Sequence, residues 1–212
     1  MSDALEKLST LLSGNGASGQ LPQPVLITGP AACGKSTLTK QYAHRLVTDF
    51  LDPEREGELV PLLVTVIDLA ETIRKNKLGE ADDILEAHIR RTKTYKPLAD
   101  FLLARRKEGK LVVILDGVDE AGEVRGVLEP YVARKLAGEV KLCITGRENG
   151  IENTAIFADF EHFHIQGLSK EQQRYIVESR MAAAPGVRAG EVTADERVHP
   201  RVHVLFLLTA MV

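Results

Sequence analysis

The sequence predicts an α/β fold with three layers, in which helices cover both faces of a parallel sheet. Short apolar runs of the strand type alternate with segments of helical periodicity along the 212 residues. The links between these segments are short, and we find no internal repeat. The central runs are apolar at nearly every position, as expected for strands that are buried on both faces of a sheet.

The first predicted element is an amphipathic helix with a linker after it, together residues 1–23. The linker at 13–19 is rich in glycine and serine, which favours an irregular connection. Leucines recur on one side of the helix at helical spacing. They are Leu5, Leu8, Leu11 and Leu12.

Two strands and a helix are predicted next. The run Val25 to Ile27 is the first strand, and the helix from Thr37 to Phe50 follows it. The near-continuous apolar run from Val60 to Leu69 is the second strand. Apolar residues in the helix lie near helical spacing and predict its buried side: Leu38, Tyr42, Leu46 and Val47.

The middle of the chain is predicted as three helices and one strand. Helices are expected near Asp83 to Thr92 and from Pro97 to Lys107, the second with proline in its first turn. Leu111 to Leu115 is the third strand. A further helix runs from Glu123 to Ala137 and is interrupted or restarted at Pro130.

The last third contains two strands and a second region of helices. Val140 to Ile144 and Phe163 to Ile165 are the strands, and Ser169 and Gln172 have the spacing of a helix capping box. We predict a flexible link at 182–196. The domains expected from this organisation are an N-terminal helix and linker at 1–23, an α/β domain at 24–166, and the start of a small helical domain at 167–212.

The apolar segment from Val202 to Val212 is too short to span a bilayer and is predicted as a buried helix. The sequence stops inside this pattern without a cap or a polar tail. We therefore expect that the chain is cut from a longer polypeptide, or that a partner covers this end.

Composition restricts the class of partner. Apolar residues make up 44% of the chain and charged residues 27%, which is typical of a globular protein, and the formal net charge is -3. This charge gives no electrostatic reason to expect nucleic acid or an acidic membrane as the main partner. The basic clusters at 90–93 and 105–107 lie in predicted helices, and we interpret them as solvated faces.

The first residues and the cysteines indicate an intracellular protein. Residues 1–7 have neither a basic leader nor an apolar core, so we expect no secretory signal and a cytoplasmic location. The chain has two cysteines, and their spacing resembles neither a disulfide framework nor a zinc site. Cys143 lies in a predicted buried strand. For Cys33 we favour a small residue that fits its loop over a redox sensor.

A glycine-rich loop follows the first strand and predicts phosphate binding. Two glycines four residues apart precede Lys35 and Ser36, between a predicted strand and a predicted helix. In such a loop the backbone N–H groups converge on phosphate oxygens, and Lys35 neutralises the β- and γ-phosphates. Ser36 is the predicted hydroxyl ligand of Mg²⁺. The candidate nucleotide-binding residues of this segment are Gly29, Pro30, Ala31, Ala32, Cys33, Gly34, Lys35, Ser36 and Thr37.

The third strand ends in acidic residues that complete a nucleotide triphosphate site. Asp116 is the predicted second ligand of Mg²⁺, acting through the water shell of the ion. Asp119 and Glu120 follow at the carboxyl end of the strand, where ligands of open α/β sheets bind. One of them is expected to orient or deprotonate the attacking water, and spacing does not decide between them, although Glu120 is slightly favoured.

Arg147 lies just after the fourth predicted strand, which can pair beside the strand of the phosphate loop. Arg147 or Thr145 would then approach the γ-phosphate. A guanidinium there makes bidentate contacts with a triphosphate that a diphosphate does not offer. Arg147 is therefore a candidate nucleotide sensor, with an exposed loop arginine as the alternative.

Taken together, these segments resemble the NACHT branch of the STAND nucleotide-binding proteins, over roughly Pro24 to the end of the chain. The most specific segment is Asp116-Gly117-Val118-Asp119-Glu120. The other segments that carry the resemblance are Gly29 to Ser36, Ile144 to Arg147, Ile165 to Ser169, and Val198-His199-Pro200.

The resemblance implies five strands in the order 5-1-4-3-2 and an adenine nucleotide between this core and a small helical domain. It places Pro200 near the base, and the preference for adenine over guanine rests on it alone. It also implies an ADP-bound resting state and an ATP-bound form that assembles with copies of itself. The family's histidine that closes on the diphosphate has no assigned counterpart; His199 and His203 are candidates only because they lie near Pro200.

The function predicted from these segments is a Mg²⁺-dependent NTPase that binds ATP, hydrolyses it slowly and acts as a switch for assembly or signalling. Two alternatives remain at this point. The first is an interaction scaffold that holds nucleotide with negligible turnover. The second is a P-loop small-molecule kinase, which the paired acids after Asp116 make less suitable, because they favour the activation of water.

Overall fold

One parallel sheet forms the centre of the protein, which is described by a computed structural model. Its strands are β1 (Val25–Thr28), β2 (Val60–Thr65), β3 (Leu111–Asp116), β4 (Lys141–Gly146) and β5 (Glu161–His164). They lie in the order β2-β3-β4-β1-β5, and every neighbouring pair is parallel. This is the predicted order 5-1-4-3-2 read from the other edge, so the predicted sheet is confirmed.

The structure describes residues 2–13, 21–52, 54, 58–151, 154–167, 169–171 and 174. Several predictions fall outside them. These are the predicted linker at 13–19 apart from Ser13, most of the helix after Ser169, the link at 182–196, the apolar segment at 202–212, and the candidates His199, Pro200 and His203.

Helices pack on both faces of the sheet, as predicted. They are α1 (Ser2–Ser13), α2 (Lys35–Leu51), α3 (Val66–Asn76), α4 (Ile84–Arg91), α5 (Ala99–Lys107) and α6 (Arg125–Pro130). Strand β3 shows the two layers directly, because successive side chains of a strand point to opposite faces. Leu111, Val113 and Leu115 belong to a core with α3, α4, α5 and α6, whereas Val112 and Ile114 belong to a core with α1 and α2.

The predicted second strand is wrong in its second half. Strand β2 ends at Thr65, and α3 begins at Val66. The Thr65 hydroxyl accepts a hydrogen bond from the backbone N–H of Asp68, which satisfies one of the free donors at the start of the helix. Val66 and Leu69 remain buried, because helical spacing also turns both residues toward the core.

The bounds of α2, α4 and α5 lie within two residues of those predicted. Pro97 lies in a short 3₁₀ turn, Lys96–Leu98, directly before α5. The prediction that Val47 lies on the buried side of α2 is wrong, since Val47 is 43% exposed. The other apolar residues predicted for the buried side of α2 are buried.

Pro130 interrupts a helical segment, as the sequence predicts. Helix α6 ends at Pro130 and continues as a π-helical stretch, Tyr131–Lys135. Proline has no N–H to donate to the preceding turn, so the backbone pairing changes where it stands.

The interpretation of the cluster at 105–107 as a solvated face is wrong for Arg106. Its side chain is only 11% exposed and contacts two carboxylates. Arg106 donates to both oxygens of Asp83, at 3.0 Å and 2.8 Å, and it also pairs with Glu139. It therefore joins α5 to the start of α4 and to the segment before β4.

Helix α1 packs on the α2 side of the sheet. Leu8 and Leu12 are buried in the same core as Val25 of β1 and Tyr42 of α2, and Leu5 and Leu11 pack against that core. None of the helices in the described ranges combines the length and the hydropathy needed to cross a bilayer.

Candidate nucleotide-binding site

The loops after β1, β2, β3 and β4 meet at the carboxyl edge of the sheet. They enclose a cavity of about 540 Å³. In open α/β sheets this edge is where ligands bind. The cavity is lined by Ala31, Ala32, Lys35, Ser36, Thr65, Ile67, Asp68, Asp116, Gly117, Asp119, Glu120, Thr145 and Arg147.

The loop after β1 has the tight backbone that a phosphate cradle requires. Gly34 precedes α2 with φ 101°, and Ala32 has φ 57°, so two residues adopt the left-handed region. A Cβ on Gly29 would lie 2.4 Å from the backbone oxygen of Ile165 and 2.8 Å from the Sγ of Cys33. Only glycine fits at this position without moving the backbone.

The side chain of Lys35 bends back over the loop. Its Nζ donates to the backbone oxygens of Gly29 at 2.9 Å and Pro30 at 2.8 Å. The Sγ of Cys33 lies 3.8 Å from the same nitrogen. Cys33 is buried, and its close neighbours are consistent with the interpretation of a small residue that fits the loop. The ammonium group is thus held at the mouth of the cradle.

The candidates in the loop divide into two groups. Ala31, Ala32, Lys35 and Ser36 line the cavity. The others shape the loop and the start of α2 but do not line the cavity: Gly29, Pro30, Cys33, Gly34 and Thr37.

Asp116 is held by a buried hydroxyl. The Thr145 hydroxyl donates to Asp116 Oδ1 at 2.6 Å and accepts the backbone N–H of Gly117 at 2.9 Å. Thr145 has no exposed surface. One carboxylate oxygen of Asp116 is therefore fixed, and Oδ2 has no hydrogen-bond partner among the described residues. Thr145 thus lines the cavity and contacts the Asp116 carboxylate directly.

Asp119 and Arg147 form a pair across two loops. Asp119 Oδ1 accepts the backbone N–H of Arg147 at 3.1 Å, and Asp119 Oδ2 lies 3.3 Å from Arg147 Nε. The Asp119 side chain is 9% exposed and the Arg147 side chain 58%. The two predicted site residues thus contact each other, a pairing that the sequence did not indicate.

Glu120 differs from Asp119 in its contacts. It is exposed, and its carboxylate makes no hydrogen bond or ion pair with the residues that the structure describes. Partial burial raises the pKa of Glu120, and the negative charge of Asp119 raises it further. The positive charge of Arg147 opposes this effect. Glu120 is therefore a carboxylate with raised basicity at the cavity.

The loop after β2 adds a wall that sequence reasoning missed. Thr65, Ile67 and Asp68 line the cavity on the side of β3, and Thr65 pairs in register with Asp116. The Thr65 hydroxyl donates to Asp68 Oδ2 at 2.6 Å. The available signal was the spacing of a threonine and an acidic residue three positions later, which is typical of a helix start.

The cavity has the ligand chemistry for a magnesium nucleotide. Mg²⁺ prefers oxygen ligands and keeps several waters, and the Ser36 hydroxyl and the Asp116 carboxylate supply such oxygens. Lys35 and Arg147 supply positive charge for phosphates. The assigned roles of these residues remain predictions.

A family model for the NACHT domain matches residues 23–184 of this chain. No curated protein matches the sequence.

Solved structures with a similar fold include two proteins of Aeropyrum pernix and a katanin. The ORC1 protein in complex with DNA has a TM-score of 0.59 and 18% identity, covering 98% of this chain and 55% of that chain. A structure described as the basis for katanin self-assembly has a TM-score of 0.55 and 14% identity, covering 100% and 68%. The ORC2 protein in ADPNP-ADP complexes has a TM-score of 0.53 and 15% identity, covering 85% and 51%. At these identities the likeness shows the fold alone, and this chain spans about half the length of the two ORC proteins.

Proposed function

Because this chain belongs to the NACHT domain family of P-loop NTPases, we propose that its cavity binds ATP with Mg²⁺ and hydrolyses it slowly. The observation that carries the proposal is the meeting of Lys35, Ser36, Asp116 and Glu120 around one cavity. These residues come from two loops that lie 80 residues apart in the chain, counted from Ser36 to Asp116. If either segment had only a structural role, the two would have no reason to meet at one cavity.

The binding residues act by charge and hydrogen bonding. In this proposal Lys35 exchanges its two backbone acceptors for oxygens of the β- and γ-phosphates. The backbone N–H groups at the start of α2 face the same phosphates. Ser36 and Asp116 would hold Mg²⁺, and the ion would supply positive charge for the phosphate oxygens. The Thr145 hydroxyl leaves one oxygen of Asp116 available for this task.

Glu120 carries the role of general base in this proposal. A general base needs an accessible carboxylate that is ionised at the working pH, and a raised pKa makes it a better proton acceptor. Glu120 accepts a proton from the attacking water as its oxygen bonds to the γ-phosphorus and ADP leaves. Both oxygens of Asp119 are engaged by Arg147, which favours Glu120 over Asp119.

We extend the proposal to a switch that responds to the phosphate count. Arg147 lines the cavity and would contact a γ-phosphate that ADP lacks. The resting ADP state, the assembling ATP state and adenine specificity are proposed from the resemblance to NACHT proteins, and we also propose an intracellular location. The katanin structure is described in terms of self-assembly, which supports assembly with further copies or domains of a longer parent protein as a proposal for this chain.

The direct test compares Lys35→Ala and Glu120→Gln. We expect Lys35→Ala to abolish nucleotide binding, because the ammonium is the main positive group at the cradle. Glu120→Gln should keep ATP binding and lose turnover. Lys40→Ala and Glu123→Gln are matched controls, since both side chains are exposed and neither lines the cavity. Calorimetry and phosphate release under multiple turnover give the two readouts.

Three results would contradict the proposal. Normal ATP binding and hydrolysis in both variants would show that the site lies elsewhere. Tight ATP binding by the wild-type protein without phosphate release would favour the scaffold. Phosphate transfer to an added small-molecule acceptor would favour the kinase.

A further inference from the structure

The contact between Asp119 and Arg147 assigns a role to Asp119 that differs from water activation. We propose that Asp119 is a positioning residue, which holds the Arg147 guanidinium at the cavity so that the protein distinguishes a triphosphate from a diphosphate. This inference rests on the proposed function.

Both carboxylate oxygens of Asp119 contact Arg147. Oδ1 accepts the backbone N–H of Arg147 at 3.1 Å, and Oδ2 lies 3.3 Å from Arg147 Nε. The Asp119 side chain is only 9% exposed, so water has little access to it. A carboxylate in this state is a poor proton acceptor for an attacking water, whereas it fixes the main chain and the side chain of Arg147 together.

Asp119 itself is held in place by its neighbours. Arg125 Nη2 donates to the backbone oxygen of Asp119 at 2.8 Å. Gly150 packs against the side chain so closely that a Cβ there would lie 2.3 Å from Asp119 Cβ. The loop after β4 thus closes directly over Asp119, and the carboxylate cannot swing away without moving that loop.

The guanidinium nitrogens of Arg147 divide into one that contacts Asp119 and two that do not. Its Nε is used by Asp119, while Nη1 and Nη2 make no hydrogen bond within the described part of the chain. The side chain is 58% exposed and lines the cavity. Two parallel N–H donors on a planar group match two oxygens of a terminal phosphate, and such a bidentate contact is sensitive to orientation. Fixing Nε therefore fixes the direction of the contact.

The test measures the ratio of the affinities for a non-hydrolysable ATP analogue and for ADP. We expect this ratio to fall about 10-fold in Asp119→Asn and in Arg147→Ala, the scale of one lost charge-assisted contact. The double variant should fall no further than Arg147→Ala, because both changes remove one interaction. ADP affinity should change less than the affinity for the ATP analogue, and circular dichroism checks that the variants fold. Asp100→Asn is the control, since it weakens an exposed ion pair with Arg90, and neither residue lines the cavity.

A pH profile of hydrolysis separates positioning from water activation. Asp119→Asn should keep slow turnover with an acid limb, and the limb should move to lower pH because Asp119 is one of the groups that raise the pKa of Glu120. The other charged groups acting on Glu120 are Asp116, Arg147 and Lys35. All three are still present in this variant, and the effect of Arg147 on this pKa is smaller than that of Asp119.

Each outcome decides a different claim. If Asp119→Asn loses turnover as fully as Glu120→Gln and keeps the affinity ratio, Asp119 acts on water and the inference is wrong. If Asp119→Asn does not fold, Arg147→Ala decides, and an unchanged ratio in that variant overturns the inference. A wild-type protein that binds neither nucleotide would instead remove the proposed function.

Discussion

At the scale of single residues, Thr145 decides how Asp116 can act. A buried hydroxyl must satisfy its hydrogen-bonding capacity inside the protein, because the loss of a partner costs about 1–3 kcal/mol. Thr145 does so by donating to Asp116 Oδ1 and accepting from Gly117. This arrangement keeps Asp116 acting as an acceptor, as a ligand of a cation requires. The sequence predicts that Arg147 or Thr145 lies near the γ-phosphate, and the structure shows that Thr145 contacts the Asp116 carboxylate directly.

The raised pKa of Glu120 predicts the pH dependence of hydrolysis. A general base acts only when it is ionised, so the rate falls as the pH drops through its pKa. The pKa of Glu120 lies above the usual value of 4.5, so the acid limb should lie above that of an ordinary glutamate. We expect kcat measured as a function of pH to show this limb in the wild type. In Glu120→Gln the small residual rate should lose it.

Glu123→Gln is the control for that measurement, because Glu123 is exposed and lies outside the cavity lining. Its profile should match the wild type. An acid limb that persists unchanged in Glu120→Gln would assign the proton transfer to another group.

The close approach at Gly29 predicts a large effect of a single methyl group. In Gly29→Ala the added Cβ meets a backbone oxygen at 2.4 Å, so the loop must move away from Ile165. We expect nucleotide affinity to fall at least about 10-fold, the result of one disrupted set of phosphate contacts. Gly126→Ala is the matched control, since its Cβ meets nothing within 4 Å, and alanine in a helix gains about 0.5–1 kcal/mol over glycine. Equal affinities in the two variants would show that the loop adapts.

Local sequence patterns predicted which residues lie at the cavity, but they did not predict the contacts among these residues. Lys35 and Ser36 follow from glycine spacing, and the acids follow from their place after a buried strand. The pairing of Asp119 with Arg147 depends on Gly150 lying against Asp119, and that approach joins two loops distant in sequence. Spacing therefore left the base open between Asp119 and Glu120, and only the contacts separate their proposed roles.

At the scale of elements, the boundary between β2 and α3 shows where periodicity fails. The run from Val60 to Leu69 is apolar enough for a buried strand, and a buried helix start has the same appearance. The structure ends the strand at Thr65, because the Thr65 hydroxyl caps the helix. The misplaced boundary also hid Ile67 and Asp68 from the predicted site, since both lie in the first turn of α3.

Helix α4 gives a prediction at this scale, because Asp83 has two tasks. Its Oδ1 accepts the backbone N–H of Glu86 at 2.9 Å, which caps α4, and both oxygens contact Arg106. Asparagine keeps the cap and loses the ion pair, whereas alanine loses both. We expect Asp83→Ala to lower the free energy of unfolding by about 1 kcal/mol more than Asp83→Asn does, the value of a typical N-cap.

Urea denaturation of the two Asp83 variants measures that difference. Thr10→Ala is a suitable control, because the Thr10 hydroxyl is exposed and bonds within its own helix without capping it. Identical midpoints for the alanine and asparagine variants would mean that the cap contributes nothing and that the pair with Arg106 dominates.

At the scale of the whole molecule, the sheet has two cores of different origin. One is formed with α3 to α6, and the other is formed with α1 and α2. The strand order was predicted from the resemblance to NACHT proteins, because the periodicity of a strand carries no information on its neighbours. The alternation of β3 between both cores explains why its run is apolar throughout: each face of this central strand is covered.

Helix α1 folds either as part of this molecule or as a separate segment, and mutation can distinguish the two. The predicted domain boundary at residue 23 depends on the answer. Leu12 has no exposed surface and lies in one core with Val25 and Tyr42. Leu12→Ala should therefore lower the free energy of unfolding by about 2–5 kcal/mol, the range for a leucine removed from a core. Leu51→Ala is the matched control, because Leu51 is 71% exposed and its change should stay within about 0.5 kcal/mol. Helix α2 belongs to the same core and also begins at the phosphate loop. We therefore expect the variant without nucleotide to unfold in one cooperative transition with a lowered midpoint, followed by fluorescence or circular dichroism. An unchanged midpoint in Leu12→Ala would show instead that α1 is an independent appendage and that the core of the domain begins after residue 23.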